Sequence, residues 1–313
     1  MTEPANHKLL LRQKYLDPKA LRIRRHVQEA YLLPAFDFQD WVLSRHSQWR
    51  GDEVVLDVNP AESLQDALEN RVPDGYYVAA DWSQTLLDGL IREPTDDDEE
   101  AAPTAPDRTL YDAMHLPFGD DSFDVVLAND FLYHLLDHEF VIQELRRILK
   151  PTGILFAATQ SQYSMAEFDT LTRRALTLLG YPPQDSISYF GRFVEDFSLE
   201  NGWVKMARHF PAVVRHEIPS AFVFTETRAV IDYLNSTRVA RERSLPPMVT
   251  WDDYIMVMTD QIRRLINHFG ELVVNRLSGV ILATERGGFA QPYSDLRERM
   301  GSRYSSDLSD EPG

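Results

Sequence analysis

Acidic and amide side chains recur where extended, apolar segments of this chain run out. VVLDV, 54 to 58, carries Asp57; YYVAAD, 76 to 81, ends on Asp81; SFDVVLAND, 122 to 130, ends on Asn129 and Asp130. A carboxylate at the mouth of a strand suits a hydroxyl-rich ligand, because one ionised group accepts two O–H donors at once. Asp81 also follows the first of these segments at roughly the 20-residue spacing of a dinucleotide-type acid. The residues after Asp57 are unusual. A nucleotide-binding strand of this kind runs into glycines, whereas this one runs into Asn59-Pro60-Ala61-Glu62-Ser63.

Other chemistries are set aside by composition. The chain has no cysteine, which excludes disulfides, thiolate metal sites and cysteine nucleophiles. Its nine histidines are scattered and form no metal-ligand spacing, and no metal is expected. The acids of Asp96 to Glu100 read as a solvated loop. The G-x-G-x-x-G of a nicotinamide dehydrogenase is absent.

The elements that must position these groups alternate between strand and helix. Strand one is Glu53 to Val58, followed by a helix over SLQDALENRV with Leu64 and Leu68 on one face. YYVAAD is the second strand and SQTLLDGLIR the next helix. Residues 93 to 107 are charged and proline-rich and read as an acidic insertion. RTLYDAM and SFDVVLAND are strands three and four. Asp137 caps a helix over 138 to 149 whose inner face carries Val141, Leu145 and Ile148, and GILFAAT, 153 to 159, is strand five. This alternation predicts an α/β class fold, with a parallel sheet covered on both faces and ligands bound at the carboxyl ends of the strands. Before it, Asp17-Pro18 opens a helix through ALRIRRHVQEAYLL, and DFQDWVLSRH makes a second. Residues 1 to 50 thus form an N-terminal helical segment and 51 to 286 the main domain. Residues 161 to 211 read as mainly helical, AVVRHEIPSAFVFT as a strand pair, 226 to 269 as a helical cap, SGVILATER as the last strand and 287 to 313 as a disordered tail.

With 313 residues and 43% hydrophobic content the chain can bury a large core. A formal net charge of -17 repels phosphate backbones and anionic lipid, so neither nucleic acid nor membrane is an expected partner. The first residues lack the apolar core of a signal peptide, and no window approaches about 18 apolar residues in a row. A cytoplasmic protein is expected.

The segment DAMHLPFGDDSFDVVLANDFLYHLLDHEFVIQELRRILKPTGILFAAT resembles the class I S-adenosylmethionine-dependent methyltransferases, and within them the group related to ubiquinone and menaquinone methyltransferases. The pieces that carry it are Asp112, LPF at 116 to 118, SFDVV at 122 to 126, LYHL at 132 to 135 and ELRRILKPTG, in that order and spacing. DPKALRIRRHVQEAY and ENGWVKMARHF extend the likeness. The resemblance implies a Rossmann-like, seven-stranded sheet and S-adenosyl-L-methionine as cofactor. It implies that Asp81 takes both ribose hydroxyls, that Asp112 binds the adenine amino group, and that Ala113 and Met114 line the ring. Asn129 and Asp130 would lie under the methionine part and the reactive methyl, with Asp57, Asn59, Ala61 and Trp82 completing the cofactor wall. It implies a packing or capping role for His134. Methyl transfer needs mainly in-line positioning, and no catalytic base is assigned among His115, Tyr133 and His134.

The three glycine positions of the family's loop hold Asn59, Ala61 and Ser63 here. Asn59 can still adopt a left-handed conformation, Pro60 lacks an N–H, and Glu62 adds a carboxylate near the cofactor's own. Two readings follow: an active methyltransferase of a small molecule with a remodelled loop, or a non-catalytic binding or scaffold module on the same fold. In the first, Tyr163, Phe168, Tyr181, Tyr189, Phe190 and Phe193 would suit an apolar or planar acceptor.

Overall fold

A computed structural model describes residues 17–60, 62–81, 87, 107–110, 116–135, 137–181, 194–242 and 245–290. Its frame is one mixed sheet. The strands are β1 (Leu32–Leu33), β2 (Val54–Asp57), β3 (Tyr76–Asp81), β4 (Asp107–Leu110), β5 (Phe123–Leu127), β6 (Leu149–Gln160), β7 (Ala212–Phe224) and β8 (Leu272–Thr284). They lie side by side in the order β1-β7-β8-β6-β5-β2-β3-β4. Strands β2 to β6 run parallel to one another, and β8 is antiparallel to both β6 and β7. Seven strands form the expected sheet, and the two residues of β1 add an edge to β7.

The central parallel strands are continuous apolar runs because helices cover both of their faces. Every residue of β5, FDVVL, is buried. On one face α4 (His138–Ile148) presses Val141, Ile142, Leu145 and Ile148 into a core with Leu56, Val126, Leu155 and Ile281. Asp137 caps α4 by accepting from the Phe140 N–H at 3.0 Å. On the other face α2 (Phe38–Leu43) and α3 (Glu62–Glu69) contribute Val42, Leu43, Leu64 and Leu68, packed on Val55, Val125 and Phe156.

The strand pair expected in AVVRHEIPSAFVFT is instead one 13-residue strand. Pro219 does not break it: it sits in register opposite Leu277, on a strand whose other neighbour, β1, reaches only Ala221 and Phe222. A proline's missing N–H is tolerated on such an outer strand. The last strand is also longer than SGVILATER, starting at Leu272. Strand β6 pairs with β8 only from Ser278 onward, so Leu272 to Leu277 and their β7 partners overhang the carboxyl edge of the sheet.

This overhanging ribbon carries a second core. Phe222 and Phe224 of β7 and Leu272 and Val274 of β8 pack under α1 (Pro18–Tyr31), α5 (Ala166–Leu178), α7 (Thr227–Ser236) and α9 (Trp251–Phe269). Two short helices, α6 (Gly202–Ala207) and α8 (Arg238–Arg241), complete the set among the described residues. Helix α9 starts on a Thr250 cap that accepts from the Asp253 N–H and ends at Gly270 in the left-handed region, φ 84. Its buried positions Trp251, Tyr254, Met258, Ile262 and Ile266 keep the helical spacing of an amphipathic stripe. The N-terminal α1 belongs to this cap: Arg24 donates to the Ser236 carbonyl at 2.7 Å.

Candidate functional site at the carboxyl ends of the strands

Neighbouring strands β3, β2 and β5 bring their carboxyl ends together, and each leads into a polar group. Asp81 closes β3 and is 1% exposed; Asp57 closes β2 and is fully buried. Asp57 accepts from the Asn59 N–H at 3.0 Å and the Tyr77 hydroxyl at 3.3 Å. Burial pushes its carboxyl up to about 7 against these two hydrogen bonds, with the nearby Asp81 charge adding to the rise. A carboxyl held in that range gives up its proton to solvent when a positive charge comes close, because the charge favours the carboxylate form.

The loop after β2 is held by its side chains. Asn59 donates through Nδ2 to the Asn129 carbonyl at 2.7 Å, joining the mouths of β2 and β5. It does so without the left-handed backbone open to it, since the described non-glycine residues with positive φ are Asp121, Asp130 and Met165. Asn129 in turn donates to the Gln39 side chain of α2 at 3.3 Å and accepts from the Ala158 N–H at 3.3 Å. Gln39 is a site residue that sequence reasoning missed. A single glutamine on a six-residue helix, 90 positions from its partner, leaves no periodic signal.

Asp130 continues the row toward β6. Its N–H donates to the Ala158 carbonyl at 2.9 Å, and its backbone is left-handed, φ 49. The Tyr133 hydroxyl donates to its carboxylate at 3.3 Å. Burial raises this carboxyl to about 6, opposed by that hydrogen bond and by the positive charge of Arg276 on β8. His134 sits on the 3-10 turn Leu132–His134, 6% exposed, its ring 4.4 Å from that of Tyr133. It packs within the turn that leads into α4.

The structure thus brings Asp57, Asn59, Asp81 and Asn129 to the carboxyl ends of the neighbouring strands β2, β3 and β5. Ala61, Trp82, Asp112, Ala113 and Met114 lie outside the described residues, as do His115 and nearly all of the acidic insertion. Of the aromatic residues considered for an acceptor, Phe168 is fully buried and stacks on Tyr233 at 5.9 Å, so it builds the cap core. Tyr163 is 68% exposed. Tyr189, Phe190 and Phe193 fall outside the described residues.

The opposite edge of the sheet is occupied structurally. A cavity there is lined by His46, Arg50, Glu53, Asp124 and Thr152. Its charges already satisfy one another. Asp124 receives Arg50 at 3.0 Å, Lys150 at 2.7 Å and the Val54 N–H at 3.0 Å, while Glu53 accepts the N–H groups of Arg50 and Gly51. Among the described residues no group of three or more metal-ligating side chains gathers, and no helix is long and apolar enough to cross a membrane.

Residues 60–157, which run from the loop after β2 into β6, match a family described as a methyltransferase domain. "Methyltransferase GfsG" of Streptomyces halstedii is 47% identical over 49 residues, covering 16% of this chain and 18% of that protein. The "Demethylmenaquinone methyltransferase" of Listeria monocytogenes is 26% identical over 197 residues, covering 58% of this chain and 78% of that one. Among solved structures, a SAM dependent methyltransferase from Aquifex aeolicus has 14% identity and a TM-score of 0.40, covering 63% of this chain and 89% of that one.

Proposed function

We propose, for a chain that belongs to the class I S-adenosylmethionine-dependent methyltransferases, that S-adenosylmethionine lies across the carboxyl ends of β3, β2 and β5 and that its methyl passes to a small-molecule acceptor under the cap. The observation that carries this placement is the row of buried oxygen acceptors, Asp81, Asp57 and Asn129, on three adjacent strands. The cofactor supplies an electrophilic methyl on a positively charged sulfur, next to an ammonium and a ribose diol. Buried carboxylates fit that donor set. In this reading Asp81 takes the ribose hydroxyls and Asp57 faces the cationic amino-acid end, losing its proton as the cation arrives. Asn59, Asn129 and Gln39 hold the two loops in place.

The chain's own contribution to the reaction is placement and exclusion of water. Helix α2 and the ribbon of β7 and β8 flank the crevice, and an acceptor held under the cap meets the methyl in one orientation. A small-molecule acceptor agrees with the demethylmenaquinone named for the Listeria relative. The non-catalytic reading has no observation of its own to favour it.

Calorimetry with S-adenosylmethionine and S-adenosylhomocysteine tests the placement. Binding of both, reduced at least tenfold by Asp81→Ala, is the expected result. No heat from either ligand at millimolar concentration, with the protein folded, refutes it.

A further inference from the structure

The row of polar groups does not stop at the cofactor crevice. It continues from β5 across β6 to β8, into a region the cofactor placement leaves unused. Three observations meet there. Asp130, in the turn just past β5, has a left-handed backbone, pinned by its N–H on the Ala158 carbonyl. A non-glycine residue held this way is strained and persists where the surroundings impose it. Next, Gln160 ends β6 two residues beyond Ala158, and its side-chain oxygen is buried with no hydrogen-bond partner. Last, Gln160 pairs with Ser278, and Arg276, two residues along β8 on the same face, has its Nε buried without a partner. The Arg276 guanidinium lies over the Phe222 ring, 4.7 Å from its centroid.

A buried acceptor and a buried donor left open at one strand mouth await a ligand carrying both kinds of group. They lie on the β6 side of β5, away from the ribose acid on β3, so they border the cofactor's reactive end and not its nucleoside. We propose that Asp130 stands at the reactive methyl and takes the proton of an acceptor that attacks through a hydroxyl or an amine, with Gln160 and Arg276 holding the acceptor's other polar groups. The assignment rests on the cofactor placement above.

The step balances without any further reactant. The acceptor's oxygen or nitrogen gains a bond to the methyl carbon as the carbon–sulfur bond breaks. The electron pair of that bond stays on sulfur. The acceptor's proton moves to the Asp130 carboxylate and leaves to water after product release. The ionisable groups acting on Asp130 are Tyr133, on the turn that follows it, and Arg276, on β8. Burial outweighs both and lifts the carboxyl to about 6, so it is ionised at neutral pH and closer to a useful base than an ordinary aspartate.

The test needs no known acceptor. S-adenosylmethionine carries a sulfonium where S-adenosylhomocysteine has a neutral sulfur, so a carboxylate at the methyl favours the first by about tenfold once ionised. The ratio of the two affinities is measured by calorimetry from about pH 5 to about pH 8, in the wild type and in Asp130→Asn. Asparagine keeps the shape and tolerates the left-handed backbone. The expected wild-type ratio rises with pH through about 6, and the expected Asp130→Asn ratio is flat and about tenfold lower, with S-adenosylhomocysteine affinity unchanged. A wild-type ratio that ignores pH, or a rise that survives in Asp130→Asn, overturns the assignment of Asp130 and leaves the cofactor placement standing. Loss of both ligands' binding in the wild type overturns the placement itself, and this proposal with it. The wild-type pH series is decisive by itself if the variant does not fold.

Discussion

Asp57 offers the sharpest test of the crevice's physics, through the substitution Asp57→Asn. The buried carboxyl is raised from its ordinary 3.8 to about 7. At about 1.4 kcal/mol per pH unit, the gap corresponds to up to about 4 kcal/mol between burying the neutral and the ionised form. The sign follows from the direction. A raised carboxyl holds its proton in the folded state while the unfolded chain has lost it. Its contribution to stability is therefore complete below about 4 and is lost as pH rises through about 7. Asparagine is nearly isosteric, still accepts from the Asn59 N–H, and never ionises. The wild type and Asp57→Asn are expected to have similar melting temperatures at about pH 4, and the variant is expected to melt several degrees higher at about pH 8. Thermal unfolding followed by circular dichroism at the two pH values gives the comparison. Ligand linkage supplies a second reading of the same group. The incoming cation lowers the Asp57 pKa, so S-adenosylmethionine binding at about pH 7 releases part of a proton. Calorimetry in two buffers of different ionisation heat detects that proton, and Asp57→Asn abolishes it. A melting-temperature difference that is the same at both pH values would show that Asp57 is not neutral in the folded protein, and the argument from desolvation would fail.

Three further outcomes are expected. Asp124→Asn at the opposite edge weakens contacts from Arg50, Lys150 and Val54 and lowers stability by about 1–3 kcal/mol, while leaving cofactor affinity unchanged by calorimetry. Gly279→Ala places a Cβ 2.3 Å from the His216 carbonyl oxygen between β7 and β8. It is expected to unfold the protein at markedly lower denaturant, because backbone and not a flexible side chain blocks the way; an unchanged midpoint refutes the tight ribbon. Leu145→Ala, on the fully buried inner face of α4, costs about 2–5 kcal/mol by equilibrium unfolding and serves as a core control that leaves the pH dependence of Asp57 intact.

The parallel half of the sheet was legible because burial on both faces forces an apolar run with a polar end. Val54 to Asp57, Tyr76 to Asp81 and Phe123 to Leu127 all follow that rule, and the acids and amides at or just past their ends read directly as candidates. The helix over 138 to 148 declared itself by its cap and its inner stripe. The antiparallel half was harder. Leu32 and Leu33 continue a helical apolar pattern, and only their pairing with Phe222 and Ala221 makes them a strand. The segment around Pro219 reads as a strand pair because the sequence does not say that its strand is an outer one. The links between elements left the least trace. Gln39 meets Asn129 across 90 positions, and the charge of Arg276 reaches Asp130 from the far end of the chain. Such contacts depend on which strand mouths the topology places side by side, and no local pattern records it.

The position of β8 has a consequence for the order in which the molecule can assemble. This strand is late in sequence yet lies inside the sheet, between β6 and β7, with 13 register pairs to β7 alone. Until it leaves the ribosome, β6 presents an open edge, β7 has only the two-residue β1 to pair with, and the cap helices have half of their ribbon missing. Strands β2 to β6 can collapse with α4 during synthesis, since their partners are already made. The cap cannot. Folding should therefore proceed in two stages, with the parallel half forming early and the second core closing only when residues 272 to 284 insert as a wedge. That last insertion joins contacts distant in sequence and is the step expected to limit the rate.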